Sequence, residues 1–351
     1  MSVKRTNSRL EFEVAQGKDP KTGRIIGVDL GGTKARAVLS DGSGTFLARA
    51  QLPTEADLGL EHVLNNIETV VRAVMELADF SSLIGMGIGA PGPLNPETGI
   101  VYSPPNLPGW NYVPLRDIME ERIGLPVYLG NDANLAALGE YTFGAGKDYR
   151  FLVYITVSTG VGGGIIEDGR ILMGARGAAG ELGHMSIDLN GPRCNCGNIG
   201  CLEILTSGTA IRRRAIEMLD AGRPSLLAEM SGSDPEKITA ELVARAALQG
   251  DEAALELLEQ TGVYLGVGVT NILHIFNPEI VVIGGGVSRI GELIFEPLQR
   301  VVEERAMPAF REQVKIVPTD LGDDIGLYGA VALVLQNFDV AKKHKQELKK
   351  F

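Results

Sequence analysis

All three cysteines of the chain, Cys194, Cys196 and Cys201, fall in one eight-residue stretch, Cys-Asn-Cys-Gly-Asn-Ile-Gly-Cys, and His184 lies ten residues upstream of its start. Thiolate sulfur and neutral imidazole are ligands that tetrahedral zinc prefers, and a closed set of four marks a structural site rather than a catalytic one. An odd cysteine count without a secretory leader fits a metal clip in a reducing compartment better than a disulfide framework. His184, Cys194, Cys196 and Cys201 are therefore the expected metal ligands. Of the other histidines, His62 and His274 lie in helix-like stretches and His344 in a lysine-rich tail, and they read as packing or surface residues.

A second group of residues suits phosphate chemistry. In Asp29-Leu30-Gly31-Gly32-Thr33-Lys34 a carboxylate at a strand end precedes a turn without side-chain bulk. There backbone N–H groups and the Thr33 hydroxyl can reach phosphate oxygens while Asp29 orients hydrated Mg²⁺. The stretch Ser158-Thr159-Gly160-Val161-Gly162-Gly163-Gly164 reads as a second such turn and Gly284-Gly285-Gly286-Val287-Ser288 as a third. The nucleotide-binding candidates are thus Asp29, Gly31, Gly32, Thr33, Lys34, Thr159, Gly160, Gly162, Gly285 and Gly286. A dinucleotide-binding Gly-x-Gly-x-x-Gly must open a helix, and a Walker A loop needs Gly-Lys-Ser/Thr; neither pattern is present.

Between the first two turns, Gly130-Asn131-Asp132-Ala133-Asn134 ends a strand and begins a helix. Phosphorylation of an alcohol needs a carboxylate to accept the hydroxyl proton and an amide to orient the substrate, and Asp132 with Asn131 meets that need. Capping of the following helix by Asp132 is the plainer reading and does not exclude catalysis. Glu181 and His184 share one loop, Glu203 follows the last cysteine by two positions, and Asn106 sits in Pro-Asn-Leu-Pro-Gly-Trp. Together they form a ring of acceptors suited to the vicinal hydroxyls of a neutral sugar, with one nitrogen of His184 on the metal and the other toward the substrate.

The elements that must hold these residues follow from periodicity. Arg24 to Leu30 reads as a buried strand, followed after the turn by a half-exposed strand from Lys34 to Leu39. Phe151 to Val157 and Ile280 to Ile283 are further strands, and Ile165-Ile166 returns as a hairpin after the second turn. Helical spacing runs over Leu58 to Leu77, over Ile238 to Leu248 with Asp234 as cap and Pro235 in the first turn, over Thr261 to Phe276, and over Ile325 to Phe338. Duplicated strand-turn-strand units with helices between them suggest two similar α/β lobes facing a cleft. The divisions expected are a polar leader (1–23), a small lobe (24–132) to which the helix 325–338 returns, a large lobe (133–324) with the metal loop 184–201, and a lysine-rich tail (339–351).

The chain's 351 residues, 44% hydrophobic and 22% charged, allow two domains and exclude a disordered protein. No apolar run approaches a membrane span, and a net charge of -11 disfavours nucleic acid or an anionic membrane surface as partner. The protein reads as cytoplasmic, and any polyanion it binds must be held by local amides and a cation.

Taken together, Asp29-Leu30-Gly31-Gly32-Thr33, Asn131-Asp132, Gly180-Glu181-Leu182-Gly183-His184 and Cys194-x-Cys196-Gly197-x-x-Gly200-Cys201-x-Glu203 resemble the ROK family (repressors, open reading frames and kinases), in the family's order and over nearly the whole chain. The resemblance implies a two-lobed actin-like ATPase fold of the ribonuclease-H type, with ATP-dependent phosphorylation of a hexose in the cleft. It further implies that Asp132 is the base, that Asn106, Asn131, Glu181, His184 and Glu203 contact the sugar, that the cysteines with His184 hold zinc, and that the protein is a homodimer or homotetramer. Arg176 to Glu181 and Ser207 to Ala210 resemble most the members that phosphorylate glucose at the 6-hydroxyl. Fructose, mannose or N-acetylmannosamine as substrate, or a sugar sensor without catalysis, are the alternatives. The family's repressors carry a winged helix-turn-helix ahead of the first strand, and the leader has no such pattern. The kinase pattern does not require that leader.

Overall fold

The computed structural model describes residues 10–14 and 23–348. Most of the polar leader, residues 349–351 and the side chains of the tail lysines lie outside the described residues. The chain divides into two compact units: one takes in the described residues up to Lys147, Ile171–Ala179 and Asp323 onward, the other Asp148–Arg170 and Gly180–Gly322.

In the first unit, strands β1 (Glu11–Val14), β2 (Arg24–Leu30), β3 (Lys34–Ser40), β4 (Phe46–Pro53), β5 (Leu83–Ala90) and β8 (Val127–Asn131) form a sheet in the order β1-β4-β3-β2-β5-β8. Residues β6 (Leu94–Asn95) and β7 (Ile100–Val101) make a short separate hairpin. β2, β3 and β4 pair antiparallel as a meander, whereas β5 and β8 run parallel to β2. Successive side chains of a strand face opposite ways. Ile26, Val28 and Leu30 thus join the core under α1 (Leu60–Met75), and Ile25 joins a smaller cluster with Leu327, Val331 and Val334 of the chain's last helix, α11 (Ile325–Leu348). The unit is completed by α2 (Leu115–Ile123) and α3 (Asp132–Phe143), the latter packed along α11.

In the second unit, strands β9 (Phe151–Val157), β10 (Val161–Glu167), β11 (Arg170–Ile171), β12 (Ile280–Gly284) and β13 (Lys315–Pro318) form a sheet in the order β11-β10-β9-β12-β13. Here too an antiparallel pair, β9 with β10, adjoins parallel neighbours, β12 and β13. Helices α4 (Leu202–Thr206), α5 (Gly208–Asp220), α6 (Leu227–Met230), α7 (Ala240–Leu248), α8 (Glu252–Phe276), α9 (Glu292–Arg305) and α10 (Pro308–Arg311) follow. Their apolar faces join Val153, Ile155, Val281 and Ile283 in one core.

The structure corrects several expectations. Gly162, Gly163 and Gly164 lie inside β10, so the second turn is only Ser158–Gly160. Side chains are excluded there by the neighbouring loop: a Cβ on Gly163 would stand 2.6 Å from Leu182 and 2.9 Å from the Gly180 carbonyl oxygen. Asp234 caps a separate turn, Pro235–Lys237, and Thr239 caps α7, which starts at Ala240. α8 begins at Glu252 rather than Thr261, because Asp251 caps it and Ala253, Ala254, Leu257 and Leu258 extend its buried face. The expected break after Asp132 falls instead after Lys147, since α3 packs on α11. Part of the leader, Glu11–Val14, is an edge strand antiparallel to β4. Among the described residues no helix is long and apolar enough to cross a membrane.

Candidate active site and metal centre

The first glycine turn is braced from β4. Gly31 N–H donates to the Lys34 carbonyl at 2.9 Å, and Thr54 N–H donates to the Thr33 carbonyl at 2.8 Å. The buried Thr54 hydroxyl also donates to the Gly31 carbonyl at 2.6 Å. Gly32, Thr33 and Lys34 stay exposed at its tip. A Cβ on Gly32 would stand 3.0 Å from Cβ of Asn106, so the turn and the candidate sugar-binding amide are adjacent. Asn106 is itself exposed, on a loop anchored by buried Leu107 and Trp110.

Asp29 is not a bare metal-facing carboxylate. Arg36 stands directly across the β2–β3 register from it. The guanidinium donates to Asp29 Oδ2 from Nη2 at 2.5 Å and from Nε at 3.1 Å. Arg36 Nη2 also donates to the Asp323 carbonyl at 2.8 Å, and a Cβ on Gly326 would stand 2.8 Å from Asp29 Oδ1, so the carboxylate sits tight against the start of α11.

At the end of β8 it is Asn131, not Asp132, that caps α3. The Asn131 side-chain oxygen accepts from Ala133 N–H at 3.1 Å and from Asn134 N–H at 3.3 Å. Only its amide NH₂ is left to address a substrate. Asp132 occupies the first helical position, exposed, with Oδ1 accepting from Ala133 N–H at 2.8 Å. The helix dipole favours an anion at this position.

In the second unit the four expected metal ligands converge: their ligand atoms all lie within 4.8 Å of one another. Zinc–sulfur bonds of ~2.3 Å in a tetrahedron put two sulfurs about 3.8 Å apart. Cys196 Sγ and Cys201 Sγ are 3.7 Å apart, and Cys194 Sγ is 3.8 Å from His184 Nδ1. The loop closes because Gly200 takes φ +62° with its Cα against the Asp188 carbonyl, where a Cβ would stand at 1.7 Å. Burial beside Cys196 and Cys194 pushes the Cys201 thiol up to about 12, whereas the backbone of Asn198 holds Cys196 below its ordinary value. Such a thiol becomes a thiolate when a cation compensates its charge. With Nδ1 turned to the cluster, His184 Nε2 lies 4.0 Å from Glu181 Oε2.

The second glycine turn adjoins a cavity of about 690 Å³, lined by Ser158, Thr159, Gly208, Thr209, Arg212, Ile238, Thr239, Glu241, Ala244, Gly286, Val287, Arg289 and Ile290 among others. Apolar walls with a few polar side chains suit an adenosine moiety. The N-terminal end of α5 opens onto it through Gly208 and Thr209, and the positive end of a helix dipole could hold an anion there. Of the candidates, Thr159 and Gly286 line the cavity. Gly285 stands behind it, at φ +88° and with no room for a Cβ, which would meet the Val157 carbonyl at 2.3 Å. The contributions of Thr209, Arg212, Thr239, Glu241 and Arg289 are missing from the sequence reading. Only the run Ser207 to Ala210 carried a signal, as part of a resemblance.

Two mixed sheets, each an antiparallel hairpin set beside parallel strands, with a glycine turn at the hairpin and helices packed on it, make up a two-lobed actin-like ATPase fold. The chain belongs to the ROK family, whose model matches residues 25–337. The glucokinase of Thermotoga maritima is 42% identical over 311 residues, covering 89% of this chain and 97% of that protein. The xylose repressor of Caldicellulosiruptor bescii is 34% identical, covering 90% of this chain and 79% of that protein. Among solved structures, a ROK family glucokinase from Streptomyces griseus in complex with glucose and AMPPNP has a TM-score of 0.77 at 34% identity, covering 90% of this chain and 100% of that one.

Proposed function

We propose that the protein is a hexokinase-type kinase that transfers the γ-phosphoryl group of ATP to the 6-hydroxyl of glucose. The carrying observation is Asp132, exposed at the head of α3 while Asn131 does the capping. Asp132 accepts the 6-hydroxyl proton as that oxygen forms its bond to phosphorus; the bond from phosphorus to the β,γ-bridging oxygen breaks, and ADP leaves with the electron pair. ATP is assigned to the cavity of the second unit, its phosphates to the Ser158–Gly160 turn and to Gly31, Gly32, Thr33 and Lys34. Sugar contacts are assigned to Asn106, the Asn131 amide, Glu181, His184 Nε2 and Glu203.

Asp29, with Oδ2 committed to Arg36, would hold Mg²⁺ through the ion's own water, as suits a cation that dehydrates reluctantly. When bound, Mg²⁺ neutralises charge on the phosphate oxygens. The Cys/His cluster suits structural zinc, about one ion per chain. Metal analysis near zero in active, unchelated protein contradicts this assignment. A cytoplasmic homodimer or homotetramer is what the family resemblance implies, and sedimentation of the purified protein tests the assembly.

Asp132→Asn is expected to lower kcat roughly a thousandfold while leaving glucose affinity largely intact. Near-normal kcat in that variant refutes the base. A coupled assay over glucose, fructose, mannose and N-acetylmannosamine tests the substrate: glucose is expected to give the highest kcat/KM, and an equal value on another sugar overturns that choice. No ATP consumption with any sugar favours a sugar-responsive regulator, as the xylose repressor relative would suggest.

A further inference from the structure

Glu203 makes a contact that sugar recognition does not require. Its Oε2 accepts the backbone N–H of Val161 at 2.9 Å, immediately after the Ser158–Gly160 turn. Gly160 leaves the room for it: a Cβ there would stand 2.5 Å from Oε2. Gly160 is not among the residues with positive φ, so the reason for glycine is the approach of this carboxylate and not backbone strain. The same turn is held at its other residues by Gly208 N–H donating to the Ser158 carbonyl at 2.7 Å and the Thr209 hydroxyl donating to the Thr159 carbonyl at 2.8 Å. All three ties come from one short segment, Glu203 to Thr209. That segment starts two residues after the metal ligand Cys201 and ends on the first turn of α5, at the wall of the nucleotide cavity.

We infer that Glu203 is the positioning residue of the nucleotide turn: its carboxylate fixes the Gly160–Val161 end, so that Ser158 and Thr159 face the cavity in one conformation before any sugar arrives. The inference rests on the kinase reading above and adds to it a role for Glu203 in holding ATP. A carboxylate that accepts a backbone N–H makes a charge-assisted bond, stronger than a neutral one. The metal loop anchors the segment at one end and α5 at the other, so the carboxylate is held in place without the sugar.

The test is titration of the full-length, sugar-free protein with a non-hydrolysable ATP analogue by calorimetry. Glu203→Ala is expected to raise the analogue's Kd about tenfold, the loss of one hydrogen bond to a charged group. Glu203→Gln keeps a carbonyl oxygen for Val161 N–H and is expected to restore nucleotide affinity while leaving the KM for glucose raised. Gly160→Ala keeps Glu203 but displaces it, and is expected to weaken the analogue as Glu203→Ala does. Glu181→Ala, which removes a sugar-side carboxylate with no bond to the turn, is expected to raise the glucose KM alone. Should Glu203→Ala fail to fold, Gly160→Ala decides. Analogue affinity within about twofold of wild type in Glu203→Ala or Gly160→Ala overturns the inference and leaves the kinase reading standing. Wild-type protein that binds no adenine nucleotide overturns both.

Discussion

At the scale of single residues, the pairing of Asp29 with Arg36 changes what the first glycine turn can do. A carboxylate at a strand end beside a glycine turn reads as a cation ligand, yet the register of β2 and β3 sets an arginine opposite it, and opposite charges across a strand pair attract. The pair is about one-fifth exposed, with side-chain accessibilities of 23% and 17%, so its worth to stability is modest. Its consequence is positional: the guanidinium holds Asp29 and is itself held by the Asp323 carbonyl, while Arg49 donates to the neighbouring Asp324 at 2.6 Å. Arg36→Ala is expected to raise the KM for Mg·ATP roughly fivefold, the effect of losing a partly exposed charge-assisted bond that positions Asp29, with a smaller change in the KM for glucose. Arg36→Lys, a point charge without the guanidinium's plane, should recover only part of it. Initial rates against ATP at fixed free Mg²⁺ check this, and an unchanged KM contradicts it. The motif made Asp29 a candidate; its partner was not legible, because a cross-strand neighbour depends on register, and register depends on the length of the turn.

At the scale of elements, caps and glycines separate what sequence shows from what packing decides. Asp132 and Asn131 both suit a helix N-terminus, and only the geometry reveals that Asn131 takes the cap. The glycines of β10 read as a turn because glycine marks turns, but here they lie within a strand, and Gly163 clears space for the loop at Gly180 and Leu182. Asp251 shows how much one cap can join. Its Oδ1 accepts from Ala253 and Ala254 N–H at 3.0 Å each, and its Oδ2 accepts from the Ser225 hydroxyl at 2.6 Å and Leu226 N–H at 2.5 Å. Burial alone would raise its pKa, but the bonds from Ser225, Ala254, Leu226 and Ala253 outweigh it and hold the carboxyl below its ordinary value of 3.8. A depressed folded-state value means stability that is present above the unfolded value and lost as pH falls through the folded one. Asp251→Ala is expected to cost about 2 kcal/mol at pH 7. Urea unfolding should show the gap between wild type and variant narrowing below about pH 4; a gap independent of pH would show that the charge of Asp251 contributes nothing.

At the scale of the molecule, each unit is assembled from separated stretches, and this is where sequence reading reaches least far. The cavity draws on residues 158–159, 208–212, 238–244 and 286–290, which no local pattern unites. The first unit is closed by the last helix of the chain, and the contact is backbone on backbone. A Cβ on Gly87 of β5 would stand 2.0 Å from the Ala330 carbonyl oxygen of α11, and one on Gly27 of β2 would stand 2.9 Å from that of Leu327. Glycines inside two central strands, which weaken a strand by themselves, are therefore what lets α11 lie on the sheet. Gly87→Ala must push helix and sheet apart, and overpacking of this kind costs about 3 kcal/mol. Because Leu327, Val331 and Val334 cluster with Ile25 and Val38, while β9 and β12 belong to a different core, the damage should stay local. Amide exchange read by mass spectrometry is expected to lose protection in β2, β5 and α11 while β9 and β12 keep theirs. Equal loss in both sheets would mean that the two cores unfold as one, and unchanged protection in α11 would mean that the glycine ridge does not hold it.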